Sequence, residues 1–197
     1  YTMGNPTLLA LMVIAFIPVM FGMSYWILLG PWAREALNVA SDDLGILMMT
    51  MGIGALAGSL ILASLRNFKN RGTLLLAMCM AWGIALAVFG QSSSYTVAVP
   101  LLLFVGLVSS IYRALSMTML QVYADPEMRG RVMSIAMMTF GLMPLSAVPF
   151  GIFAERYSTA GALTLSGILL TVSTLLFAMA YPRFLKNGCE VKITVDG

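Results

Sequence analysis

The chain has 197 residues, of which 60% are hydrophobic and only 10% charged, with a formal net charge of +3. An ordinary soluble domain carries about 25% charged residues, so this composition excludes a water-soluble enzyme, a disordered tail and a disulfide-stapled secreted module. A mean hydropathy of +0.93 points to an all-α, polytopic integral membrane protein.

Histidine is absent. That removes Ser-His-Asp triads, HExxH zinc sites and Cys-His pairs. The basic residues are few and scattered between apolar runs, which excludes a nucleic-acid interface. Cys79 lies within an apolar run and Cys189 in a polar segment, so no structural disulfide is expected. The 17 methionines lack the histidines that would help make a copper path. They read as adaptable packing, and neither a metal nor a cofactor is expected.

Six apolar runs reach the length of about 20 residues that a spanning helix needs. The first covers 7–29, contains Pro18 and Gly22, and closes on Ser24, Tyr25 and Trp26, with Trp32 beyond. Tyr and Trp collect at headgroup level. Tyr25 and Trp26 therefore read either as interfacial anchors or as stacking surfaces for a substrate. The second run, 44–65, follows the capping sequence Ser41-Asp42-Asp43. It carries Gly52, Gly54 and Gly58, and the Gly54/Gly58 pair is a GxxxG motif that lets helix backbones approach. Gly52, and Gly141 further on, are assigned the same helix-packing role. The third run, 73–89, is apolar almost throughout and reads as lipid-facing. Gln91-Ser92-Ser93-Ser94 is a polar outer turn.

The fourth run, 96–121, has the most polar face of the chain. Ser109, Arg113 and Ser116 follow i, i+4, i+7 spacing, with Ser110, Tyr112, Met117 and Gln121 beside them. The fifth, 132–153, follows Asp125-Pro126-Glu127, an N-cap with a first-turn proline, and is interrupted by Pro144 and Pro149. Such prolines are tolerated in a membrane bundle, where neighbours satisfy the freed carbonyls. The sixth covers 160–181. Residues 1–182 thus form one six-helix bundle and 183–197 a short tail. The chain starts at Tyr1 with no basic segment before the first run, so it is expected to begin inside a longer protein.

Arg113 is the charge placed deep within a run. At a helix centre it costs about 2.5–3.5 kcal/mol, against roughly −3 to −6 kcal/mol from the Val, Leu, Ile and Phe of the same helix. The helix inserts, but at a large fractional penalty. No Asp or Glu lies deep within a run to pair with it. The counter-charge must be a substrate, a lipid phosphate or a residue elsewhere. Two readings stand: a functional cation facing a cavity, or a side chain snorkelling to the headgroups. The neighbouring Ser residues face a similar choice between lining a cavity and bonding back to their own helix.

Arg129-Gly130-Arg131 puts two cations in a first helical turn, against the helix dipole. With Asp125 it reads either as headgroup anchoring or as a cytoplasmic gate whose charge pairs exchange between conformations. Placing both ends in the cytoplasm puts Arg66, Lys69, Arg71, Arg129, Arg131, Arg183, Lys186 and Lys192 inside, and only Arg34 and Arg156 outside. That asymmetry follows the positive-inside bias and requires an even number of spans.

The sequence also echoes itself at an offset of 89 residues. Ile46, Met48, Met49, Thr50, Gly52, Gly72, Leu74 and Leu76 recur as Ile135, Met137, Met138, Thr139, Gly141, Gly161, Leu163 and Leu165. This predicts two three-helix units. An odd number of spans per unit inverts the second relative to the first, an architecture of secondary transporters.

Asp125-Pro-Glu-Met-Arg-Gly-Arg-Val-Met-Ser134 resembles the loop between helices ten and eleven of the major facilitator superfamily. It is most similar to that loop in the drug and siderophore exporter branch. Gly141-Leu-Met-Pro144 and Gly151-Ile-Phe-Ala-Glu155-Arg156 are similar to the eleventh helix and its following turn. The resemblance implies that the chain is the C-terminal six-helix half of a twelve-helix protein. It also implies alternating access, a proton gradient as energy source, and a cavity lined by the first, second, fourth and fifth spans. One departure is that the segment from Gly58 through Arg66, Lys69 and Arg71 lacks the Asp of the family's loop motif.

The expected function is secondary active export of a small amphipathic or anionic compound across a bacterial inner membrane. Arg113, Ser109, Tyr112, Ser116, Gln121, Tyr25 and Trp26 are the expected substrate contacts. Asp125, Arg129, Gly130 and Arg131 would form the cytoplasmic gate. The partners are the bilayer, the substrate, and a missing N-terminal half or a second copy. The rival reading is a membrane scaffold or assembly module that transports nothing. An intramembrane enzyme is disfavoured by the absence of His, of a GxGD motif and of a buried acid pair.

Overall fold

The computed structural model describes residues 6–37, 41–64 and 70–181. Its regular structure among these is helical: α1 (Pro6–Phe21), α2 (Tyr25–Leu37), α3 (Ser41–Ser64), α4 (Arg71–Gly90), α5 (Tyr95–Tyr123), α6 (Arg129–Gly141), α7 (Met143–Arg156) and α8 (Thr159–Ala180). They make six stretches long and apolar enough to cross a membrane, because α1 with α2 and α6 with α7 each form one broken span. The tail 183–197, the basic pair Arg66 and Lys69, and the Ser41 and Asp42 caps lie outside the described residues and side chains.

Proline sets both breaks. Pro18 has no N–H, so the carbonyl of Ile14, four residues back, loses its helical donor. The Pro18 carbonyl then accepts from both Gly22 N (2.7 Å) and Met23 N (2.9 Å), which ends α1. Ser24 Oγ donates to the Phe21 carbonyl at 3.0 Å, and α2 starts at Tyr25. The resulting span runs from Leu8 to Leu37, 30 residues, about 45 Å at the helical rise. The sequence ended it near Leu29. Tyr25 and Trp26 therefore lie near the middle of the span, and Trp32 is fully buried. The interfacial-anchor reading of Tyr25 and Trp26 fails for this reason.

In the other broken span, Leu142 N bonds Thr139 O at 3.1 Å, and Pro144 stands in the first turn of α7 without an N–H to give. At the start of α6 the N-cap position falls on Met128 rather than on Asp125. Met128 N bonds the Asp125 carbonyl at 2.9 Å, forming a turn, and Met128 occupies the N-cap without a side-chain bond.

Helix packing in lipid gains little from hydrophobicity and depends on close backbone approach. On α3, Leu47, Met51, Gly54 and Gly58 form one buried seam against α5 at 4, 3, 4 spacing. A Cβ on Gly54 would overlap the Leu103 carbonyl, and one on Gly58 the Leu107 carbonyl. Across the seam, a Cβ on Gly106 would overlap the Met51 carbonyl. A second seam joins α4 and α8, where Gly83 and Gly167 meet backbone to backbone and Thr164 Oγ1 sits against Gly90. The free thiol of Cys79 is buried there, 3.2 Å from Thr174 Oγ1. Gly52 and Gly141 have nothing within 4 Å, so the packing role assigned to them is not met among the described residues. The working glycines of the two seams are Gly54, Gly58, Gly83, Gly90, Gly106 and Gly167.

The expected lipid-facing role of the third span also needs correction. One stripe of α4 is buried against α5 and α8, from Leu75 and Cys79 to Trp82, Leu86 and Phe89. Only the opposite stripe, with Ile84 and Val88, is open. The packing of α4 on α5 is matched by α8 on α1 and α2, with α4 against α8 between them. Helices α3, α6 and α7 are the least covered, exposing Ile46, Met49, Ile53 and Leu56, and Ile135, Met138, Leu145 and Ile152.

At one end of the bundle Glu35 ties α2 to α8. Its Oε2 accepts from Thr159 N at 3.3 Å and from the Thr159 hydroxyl. Ser158 Oγ accepts from Gly161 N at 3.0 Å. The first turn of α8 thus receives one cap from its own chain end and a carboxylate from α2, placed where the helix dipole favours it.

Candidate functional site

A narrow cleft lies where α1, α4, α5 and α6 meet. Arg113 opens onto it, ten residues before the end of α5, about 15 Å along the helix. The Arg113 side chain is exposed on the described helices. Ala15, Val19, Met23, Met117 and Phe140 supply apolar walls, and Trp82, Tyr112, Ser116 and Thr139 also line it. No Asp or Glu lines the cleft. Its volume is ≈ 20 Å³, room for about one water, whereas a drug-sized ligand needs about 300 Å³ or more. A substrate could therefore place only a small head here, with its body in space bounded from outside these helices.

The polar side chains around Arg113 divide into committed and uncommitted groups. Tyr112 is buried, and its hydroxyl donates to the Ile14 carbonyl at 2.6 Å. This is the carbonyl that Pro18 leaves without a helical donor. Tyr112 thus repairs the proline break across the α1–α5 contact, and its proton is not free for a ligand. Ser109 Oγ donates to Gly106 O at 3.1 Å, and Ser110 Oγ to Leu107 O at 3.0 Å. Both follow the back-bonding pattern. Thr139 Oγ1 donates to Ile135 O at 3.0 Å.

Ser116 Oγ and Trp82 Nε1 are different. Their residues are 2% and 1% exposed; the indole N–H has no hydrogen-bond partner among the described residues, and the Ser116 hydroxyl lies beside that of Tyr112. A buried polar group left unpaired costs about 1–3 kcal/mol. Trp82 was missed by sequence reasoning because it stands in a run that is apolar almost throughout. The available signal was that a buried Trp needs an acceptor for its N–H.

Tyr25 is buried beside this group. Its ring packs edge-on to Trp82 at 6.3 Å and lies 5.8 Å from Trp26. Its hydroxyl is within reach of Ser109 and of the Arg113 charge. The structure thus brings Arg113, Ser109, Ser116, Tyr112 and Tyr25 together. Trp26 is more than one-third exposed, and Gln121 is exposed on α5 outside the cleft lining. Asp125, Arg129, Gly130 and Arg131 are all exposed at the α5–α6 turn, away from the cleft. A larger open groove of ≈ 370 Å³ runs between α4 and α8, lined by Ile84, Val88, Thr164, Ile168 and Thr171, and shares no residue with the cleft. Among the described residues no acid, Cys or His cluster could hold a metal ion.

Comparison with known proteins agrees with this architecture. A family model described as transmembrane secretion effector matches residues 1–188. The chain is 26% identical over 158 residues to the staphyloferrin A transporter of Staphylococcus aureus (strain NCTC 8325 / PS 47), covering 79% of this chain and 39% of that protein. The chain therefore spans well under half the length of this relative. No solved structure matches. Six helices long and apolar enough to cross a membrane, and a family match over nearly the whole sequence, place this chain in the transmembrane secretion effector family of the major facilitator superfamily.

Proposed function

We propose that the chain is one six-helix half of a secondary active exporter that moves a small amphipathic or anionic compound by alternating access. The observation that carries this reading is Arg113, a cation within the membrane that opens onto a cleft without a carboxylate. Holding a charge there is costly. The cost is offset when an anionic group arrives, which makes the site selective for one sign of cargo. The staphyloferrin A transporter, a siderophore transporter by name, supports a cargo of that general kind.

The second half of the cavity comes from outside this chain, either from a further six helices or from a second copy. The exposed apolar faces of α3, α6 and α7 support this. Both ends lie in the cytoplasm of a bacterial inner membrane, and a proton gradient drives the cycle. Asp125, Arg129, Gly130 and Arg131 form the cytoplasmic gate, where the two cations in the first turn of α6 exchange anionic partners between conformations.

The test uses everted membrane vesicles holding the intact native chain, energised to an acid interior, with staphyloferrin A as probe. Gradient-dependent uptake is expected. It should be abolished by a protonophore and reduced roughly tenfold to hundredfold in Arg113→Gln, as for loss of one charged hydrogen bond. Inserted, folded protein with no flux of this probe or of benzoate under any gradient refutes the transport reading and favours the scaffold.

A further inference from the structure

We propose that Trp82, Ser116 and Arg113 form a subsite for the carboxylate head of an amphipathic substrate, with the Trp82 indole N–H as a direct donor. This rests on the transport reading and names the chemical class of its cargo. Three observations carry it. First, Trp82 and Ser116 line the same cleft as Arg113, although they come from α4 and α5 and are brought together only by packing. Second, both are almost wholly buried; the Trp82 N–H finds no protein partner among the described residues, and the Ser116 hydroxyl lies beside that of Tyr112, whose own proton goes to Ile14. Third, the other polar groups of the lining, Tyr112 and Thr139, have their protons committed to main-chain carbonyls. The cleft is left with donors and no anion of its own.

The donor set selects the ligand. A guanidinium group offers two parallel N–H bonds that match the two oxygens of a carboxylate. One indole N–H and one hydroxyl remain for the outer lone pairs. The single positive charge neutralises a monoanion. A phosphate dianion would leave an unpaired charge in an apolar cleft, which is strongly unfavourable. The space, ≈ 20 Å³ when the cleft is empty, holds about one water, so a carboxylate head enters only as the lining side chains move apart. The walls of Ala15, Val19, Met23 and Phe140 then receive the apolar part next to the head. A water molecule on Trp82 and Ser116 would hold the site between transport events, displaced when the carboxylate enters.

The experiment follows the indole N–H resonance of Trp82 in the intact native chain, purified in micelles with ¹⁵N-labelled tryptophan and assigned by Trp82→Phe. Benzoate is the probe; benzamide, its uncharged analogue, and phenyl phosphate, a dianion, are the comparisons. The Trp82 signal is expected to move saturably with benzoate and to stay in place with benzamide. In Arg113→Gln the apparent benzoate affinity should fall roughly tenfold to hundredfold, and Arg113→Lys should recover part of it. Trp32, buried against Phe89 with ring centroids 4.2 Å apart, reports whether each variant keeps its fold.

An unmoved Trp82 signal with benzoate overturns the proposal. So does an equal response to benzamide, a response that survives in Arg113→Gln, or tighter saturation by phenyl phosphate. Gradient-driven flux without a Trp82 response rejects the subsite and leaves transport standing. Flux lost in every form of the protein, with the Trp82 response intact, rejects transport instead.

Discussion

Replacing Tyr112 by Phe removes one hydroxyl and should destabilise the α1–α5 contact by about 1.5 kcal/mol. Interhelical hydrogen bonds in membranes average about 0.6 kcal/mol and reach about 1.7. This one belongs at the upper end, because the Ile14 carbonyl has no helical donor to fall back on: Pro18 supplies none. An acceptor stranded in an apolar interior costs about 1–3 kcal/mol. The assay is a double-mutant cycle with Pro18→Ala, read by unfolding of the intact native chain in mixed micelles. The Pro18→Ala change would return an N–H to the Ile14 carbonyl, so Tyr112→Phe should cost at least about 0.5 kcal/mol less in that background. Equal costs with and without Pro18→Ala would refute the claim that Tyr112 compensates for the proline. A cost below about 0.3 kcal/mol with Pro18 in place would do the same.

Gly54→Ala drives a methyl into the Leu103 carbonyl and should cost about 1–3 kcal/mol. Gly141→Ala meets open space and should be neutral or slightly stabilising by thermal unfolding. An equal loss at both positions would show that the α3–α5 seam does not control packing. Glu35→Ala removes the carboxylate that holds the first turn of α8 and should cost about 1 kcal/mol, with Glu35→Gln intermediate because it keeps an acceptor. Hydrogen exchange at Thr159 checks this, and unchanged protection would contradict it. Cys79 is fully buried between α4 and α8, so peptide mapping after maleimide treatment should find it unmodified until the protein is unfolded in detergent. Rapid labelling in the native state would contradict the α4–α8 seam.

Composition and run length alone determined that the protein is a six-span helical membrane bundle. The reason is physical: in lipid every backbone polar group must be satisfied internally, so apolar runs of this length have one solution. The charge pattern singled out Arg113. Helix-to-helix geometry was not legible in the same way. In a spanning helix nearly every face is apolar, so periodicity gives little indication of which stripe meets a neighbour. Hence Gly52 and Gly141 read as equivalent to Gly54, although only Gly54 touches a backbone. Trp82 read as lipid-facing because its neighbours in sequence are apolar, whereas its neighbours in space are Tyr112, Tyr25 and the Arg113 cleft. Tyr112 read as a ligand contact because nothing local reveals that a proline 94 positions earlier has left a carbonyl unpaired. Each of these depends on a partner distant along the chain, and only the tertiary structure brings the two members of each pair within bonding distance.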